Sequence, residues 1–159
     1  VKIKGIIDED FVNYKLPSMV IMTPSCTFKC DKESGKQVCQ NGALATAPSI
    51  NIGVHSLIYR YLHNPITRAI VIAGLEPFDS FGEVAEFITV LRKEYKCDDD
   101  IVIYTGYKKE ESEHWIQCLQ TFANIVVKFG RFIPDQQSHY DEVLGVKLAS
   151  DNQFAERIS

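Results

Sequence analysis

The sequence predicts an α/β fold, a partial (open) β/α barrel with mostly parallel strands and an N-terminal hairpin. Three observations predict it. Four short runs, Met19 to Met22, Ala69 to Ile72, Ile101 to Tyr104 and Ile125 to Phe129, have the near-continuous apolar character of strands buried on both faces. Stretches of helical spacing separate them, and strand–helix alternation builds a parallel sheet with crossover helices. The chain has 159 residues, enough for one domain spanning 1–159 and too few for a closed eight-unit barrel of about 250 residues.

The elements follow in order. Lys2 to Ile7 and Phe11 to Tyr14 are short alternating runs around Asp8-Glu9-Asp10, which reads as a hairpin with an acidic turn. Leu16-Pro17-Ser18 breaks the chain before the first buried strand, Met19 to Met22. From Thr23 to Asn51 the sequence is irregular, and a loop that long in a small domain is more often functional than idle. Val54, Leu57, Ile58, Tyr61 and Leu62 then follow helical spacing. After the strand Ala69 to Ile72, Ser80-Phe81-Gly82-Glu83 has the form of a capping box. The helix it opens carries Val84, Phe87, Ile88, Leu91 and Tyr95 on one face. Ile101 to Tyr104 precedes a Glu-rich helix through Trp115 and Leu119, and Ile125 to Phe129 closes the set. The tail predicts one more strand, around Val146 to Leu148.

Composition narrows the function. Apolar residues make up 45% and charged residues 24%, as in ordinary globular proteins, so a core can form. A formal charge of −4 lacks the electrostatic footprint of a nucleic-acid binder. No stretch approaches the roughly 20 apolar residues that cross a bilayer, and no export signal is recognisable, so a cytoplasmic protein is expected. In a reducing compartment the five cysteines are ligands, catalysts or core filler rather than disulfides.

Three of them, Cys26, Cys30 and Cys39, fall in the loop after the first buried strand, where an open α/β sheet gathers its ligands. Three thiolates on an irregular loop suit a 4Fe–4S cluster with one iron left open, since four irons normally take four cysteines. Zinc or incidental cysteines are the alternatives, although structural zinc wants a fourth ligand that is not obvious here. A non-enzymatic redox or docking module would use the same residues. Cys97 and Cys118 sit on or beside helices and read as small buried hydrophobes.

Four segments resemble the radical S-adenosylmethionine (SAM) enzymes, and within them the activating protein of the anaerobic ribonucleotide reductase. They are Cys26-Thr-Phe-Lys-Cys30 through Cys39, then Ala73-Gly74-Leu75-Glu76-Pro77, then Tyr104-Thr105-Gly106-Tyr107, and last Lys128-Phe129-Gly130-Arg131-Phe132 with Ala149-Ser150-Asp151-Asn152-Gln153. The resemblance implies that Cys26, Cys30 and Cys39 hold a 4Fe–4S cluster whose open iron chelates SAM. It implies Gly74 and Glu76 at the SAM amino end, with Ser150 and Asn152 lining the site. It also implies a small electron-donor protein and a glycyl radical enzyme as partners, and neither nucleic acid nor membrane. Another radical SAM substrate is the alternative. The chain departs from the family pattern in three places. Eight residues, Asp31 to Val38, fill a second cysteine gap that usually holds two; Val38 replaces an aromatic residue; and Leu75 replaces a second glycine.

Overall fold

Residues 1–25 and 42–159 are described by the computed structural model. In chain order the elements are β1 (Lys2–Ile3), β2 (Gly5–Asp10), β3 (Ser18–Thr23), α1 (Gly42–Thr46), β4 (Ile50–Asn51), α2 (Val54–Leu62) and β5 (Ala69–Gly74). They continue with α3 (Phe81–Lys93), β6 (Asp100–Tyr104), α4 (Glu113–Leu119), β7 (Ile125–Phe129), β8 (His139–Asp141), β9 (Val146–Leu148) and β10 (Phe154–Arg157). A central sheet of six strands has the order β10-β7-β6-β5-β3-β2. β3, β5, β6 and β7 are parallel, and the flanking β2 and β10 are antiparallel to their neighbours.

The order of the parallel strands follows the chain, and all three longer helices pack on one face. Leu57, Ile58 and Tyr61 of α2, Val84, Phe87, Ile88 and Leu91 of α3, and Ile116 and Leu119 of α4 join one core with Ile70, Ile72, Ile101, Ile103, Ile125 and Phe129. Burying each such side chain is worth about 1.5–3 kcal/mol. Sequential order with one-sided helices is the connectivity of an open β/α barrel, not of a doubly wound sheet. The other face carries smaller side chains, Val20, Ala69, Val71, Val102 and Val126, closed over by Tyr14, Leu144, Leu148 and Ala155. Alternating residues of each strand thus serve two cores. Among the described residues no helix is long and apolar enough to cross a membrane.

The hairpin forms, with a different second strand. β2 pairs with β3 rather than with Phe11 to Tyr14, and Asp8 to Asp10 belong to the strand. The turn is displaced because the Asp10 carboxylate accepts from the backbone N–H of Val12 and of Asn13, a local geometry that competes with strand pairing. That frees Tyr14 to bury itself on the helix-free face.

The capping box does not form. Ser80 makes no side-chain cap bond and instead ends a short 3₁₀ turn, Pro77–Ser80, that runs straight into α3. Glu83 accepts from the Lys2 N–H, a partner 81 positions away. The tail also supplies β10, whose alternation of exposed Phe154 and buried Ala155 is too short to announce a strand.

Candidate functional site at the strand ends

The C-terminal ends of β3, β5, β6 and β7 form the mouth of the sheet, and one residue of each strand lies in a single register row. Met22 pairs with Ala73, and Tyr104 with Lys128, while the β5–β6 register continues Ala73 toward Tyr104. All four belong to the face opposite the helices, since Ile21, Ile72, Ile103 and Val127 take the helix side.

β3 and β5 are stitched together at their ends. The Thr23 hydroxyl donates to the Ala73 carbonyl at 3.0 Å, and the Glu76 N–H to the Ser25 carbonyl at 2.7 Å. Gly74 has φ of +87°, and a Cβ there would lie 2.8 Å from the Met22 Cα. Glycine is thus required by the approach of β5 to β3, whatever ligand the turn meets.

Glu76 is 5% exposed and its carboxylate is heavily engaged. One oxygen accepts from the Phe78 N–H and the Thr105 hydroxyl, both at 2.9 Å, and the other from the Gly106 N–H at 2.7 Å. It therefore caps the 3₁₀ turn and clasps the β5 and β6 ends together. Burial pushes its pKa up, opposed by the hydrogen bonds from Phe78, Gly106 and Thr105, with Asp79 adding to the rise.

The clasp continues to β7. The Gly130 N–H donates to the Tyr107 carbonyl at 3.0 Å, and Arg131 lies over the Tyr107 ring at 5.6 Å while bonding Glu111 in bidentate fashion at 2.9 and 3.0 Å. Tyr107 in turn donates to Asp79 at 2.6 Å. The Asn152 amide donates to the Arg131 carbonyl at 2.8 Å and accepts from the Ser150 hydroxyl at 2.6 Å. Ser150 is fully buried. Gly74 and Glu76 on one side and Ser150 and Asn152 on the other thus share one rim, joined through Gly106 and Arg131. The polar side chains of Glu76, Ser150 and Asn152 make these bonds within the chain itself.

Cys26, Cys30 and Cys39, with Val38 and the rest of the long second gap, lie outside the described residues. Cys97 is half-buried against the helix-side core, as expected. Cys118 is exposed on α4, not buried, because Ile116 and Leu119 take the inward positions of that short helix.

Two residues of the site enter the sequence reading only as members of a resembling segment, with no role of their own. Lys128 is 7% exposed, donates to the Gly130 carbonyl at 3.0 Å and sits 5.5 Å from the Tyr104 ring centre. Burial lowers its pKa to about 8, with the Glu76 charge pulling the other way. The signal was a cation inside the apolar run Ile-Val-Val-Lys-Phe of a buried strand. Gln153, 7% exposed, also donates to the Gly130 carbonyl, at 3.3 Å.

A family model described as a 4Fe-4S single cluster domain matches residues 18–154. No curated protein and no solved structure matches the chain. The matched span runs from the first residue of β3 to the first of β10, so it takes in all four parallel strands and the three-cysteine loop. Cysteine thiolates are the usual donors to such a cluster.

Proposed function

Because this chain belongs to the 4Fe-4S single cluster domain family, we propose that it is a radical SAM enzyme that generates a glycyl radical on a partner enzyme. The observation that carries the reading is the tie between Ser25 and the Glu76 turn. Ser25 immediately precedes Cys26, and its carbonyl accepts from the Glu76 N–H at 2.7 Å. The cysteine loop therefore departs from the turn assigned by resemblance to SAM.

In this reading Cys26, Cys30 and Cys39 hold the cluster, and Gly74, Glu76, Ser150 and Asn152 shape the SAM site. A cluster held by these thiolates would supply the single electron for reductive cleavage of SAM, the electron coming from a small donor protein, and the partner would contribute the glycine that gives up a hydrogen atom. The chain's own residues have a different task. The Glu76 clasp fixes the β5 and β6 ends relative to each other, and the Asn152 and Ser150 pair fixes the turn after β7. A rigid rim of this kind holds a ligand in one pose and shields it from water.

Anaerobic reconstitution followed by EPR of the reduced protein tests the proposal. The spectrum should change when SAM is added, and deoxyadenosine should accumulate on turnover. An iron-loaded protein whose spectrum ignores SAM is a redox or docking module instead. Formation of deoxyadenosine without a glycyl radical on an anaerobic ribonucleotide reductase-like partner would point to another substrate.

A further inference from the structure

The turn between β9 and β10 is built to hold something in place. Gln153 is locked at both ends of its amide: Oε1 accepts from the Ser150 N–H at 3.1 Å, so Nε2 must be the group that faces the Gly130 carbonyl at 3.3 Å. The same carbonyl accepts from the Lys128 ammonium at 3.0 Å. Gly130 has φ of +104°, and a Cβ there would lie 3.2 Å from the Asn152 side-chain amide nitrogen and 3.3 Å from the Gln153 Cα. The turn is thus seated directly on the one carbonyl to which the lysine points.

Lys128 occupies the mouth row with Met22, Ala73 and Tyr104, and among the described residues no carboxylate lies within ion-pair distance of it. The charges that bear on it are Glu76 through space on the β5 side and, from β6, the ring of Tyr104. From β10 its register partner is Ala155, which is apolar. A buried ammonium held by a single neutral acceptor is placed and charged according to that acceptor.

We propose that Gln153 is a positioning residue for the strand-end site, acting through Lys128: by sharing and orienting the Gly130 carbonyl it fixes where the lysine ammonium sits in the mouth. The inference rests on the reading of the mouth as the ligand site. Gln153 touches no ligand in this scheme.

The test uses the full chain with ¹³C-labelled lysine, with Lys128 assigned through Lys128→Met, followed by NMR across pH. In the unsubstituted protein the lysine should titrate well below a free lysine, and the Gln153 side-chain amide signals should move with the same midpoint. Gln153→Glu keeps the acceptor for Ser150, removes the donor to the Gly130 carbonyl and puts a negative charge beside the carbonyl that the ammonium uses, so the lysine midpoint should rise by about one pH unit or more. Gln153 signals that stay still through the lysine transition, or a midpoint unmoved in a folded Gln153→Glu, would overturn the coupling. In the cluster-loaded protein the same substitution should weaken SAM binding about tenfold, read as the SAM concentration needed for the EPR change. A shifted lysine with unchanged SAM affinity would remove Gln153 from the function. A parent protein blind to SAM would instead sink the proposed activity and leave the titration to decide the coupling.

Discussion

At the scale of single residues, Lys128 is the clearest case of a side chain kept against the interest of stability. A cation buried at 7% exposure with a carbonyl as its acceptor gives up hydration that one neutral hydrogen bond only partly replaces. Its folded pKa, about 8, lies below the ordinary lysine value of 10.5. The sign follows from proton counting. Between those two values the unfolded chain binds the proton and the folded chain does not, so stability rises with pH across that window. Below about pH 8 both states are protonated and the burial penalty is fully present. We expect Lys128→Met to raise stability at pH 7 by ~2 kcal/mol and to lose that advantage as the pH climbs from about 8 to about 10. Urea midpoints measured at several pH values check this. A variant less stable than its parent at pH 7 would show that the ammonium contributes more through Gly130 than it costs.

At the scale of elements, the helix α3 shows how one buried polar side chain can anchor a helix end to the segments around it. Arg92, in its last turn, is 8% exposed and donates to the carbonyls of Cys97, Asp99 and Ala123 at 2.7, 2.8 and 2.9 Å. It ties the helix end to the segments leading into β6 and β7. Arg92→Leu, which leaves these carbonyls without a donor, should cost about 2–4 kcal/mol in urea unfolding, with Arg92→Lys between the two. A loss under about 0.5 kcal/mol would mean that water satisfies the carbonyls. The same contrast explains what the sequence could disclose. The four parallel strands were legible because burial on both faces leaves an uninterrupted apolar run, and α2 and α3 because one face repeats at helical spacing. The capping box and the Phe11–Tyr14 strand were misread because their outcome depends on distant or competing partners, Lys2 for Glu83 and the Asp10 carboxylate for the turn. In the site, Gly74 and Glu76 stand out by resemblance to a family segment, but the reason for Gly74 is the backbone of Met22, which no local pattern reveals. Gln153, quoted only within a segment, has no role legible in the sequence for the same reason: its meaning comes from the carbonyl of Gly130.

At the scale of the whole molecule, the question is whether the cluster is a fold-holding staple or a passenger on a scaffold that closes without it. A small metal-dependent domain folds only on binding, because its ligands substitute for a core that it is too short to make. Here, among the described residues, both faces of the sheet are already sealed. Ile70, Ile72, Ile101, Ile103, Ile125 and Phe129 meet three helices on one side, and Val71, Val102 and Val126 are covered by Tyr14, Leu144 and Leu148 on the other. The start of the cysteine loop is anchored by the Thr23 and Glu76 bonds, neither of which uses a thiolate. Cys30→Ala should therefore abolish the brown chromophore and bound iron while keeping the far-UV circular dichroism and a cooperative urea transition within about 1 kcal/mol of the cluster-free parent. If the variant is instead unfolded, the cluster is part of the core. If it keeps its full iron, the thiolates named here are not the ligands, and the radical chemistry proposed for the strand ends loses its centre.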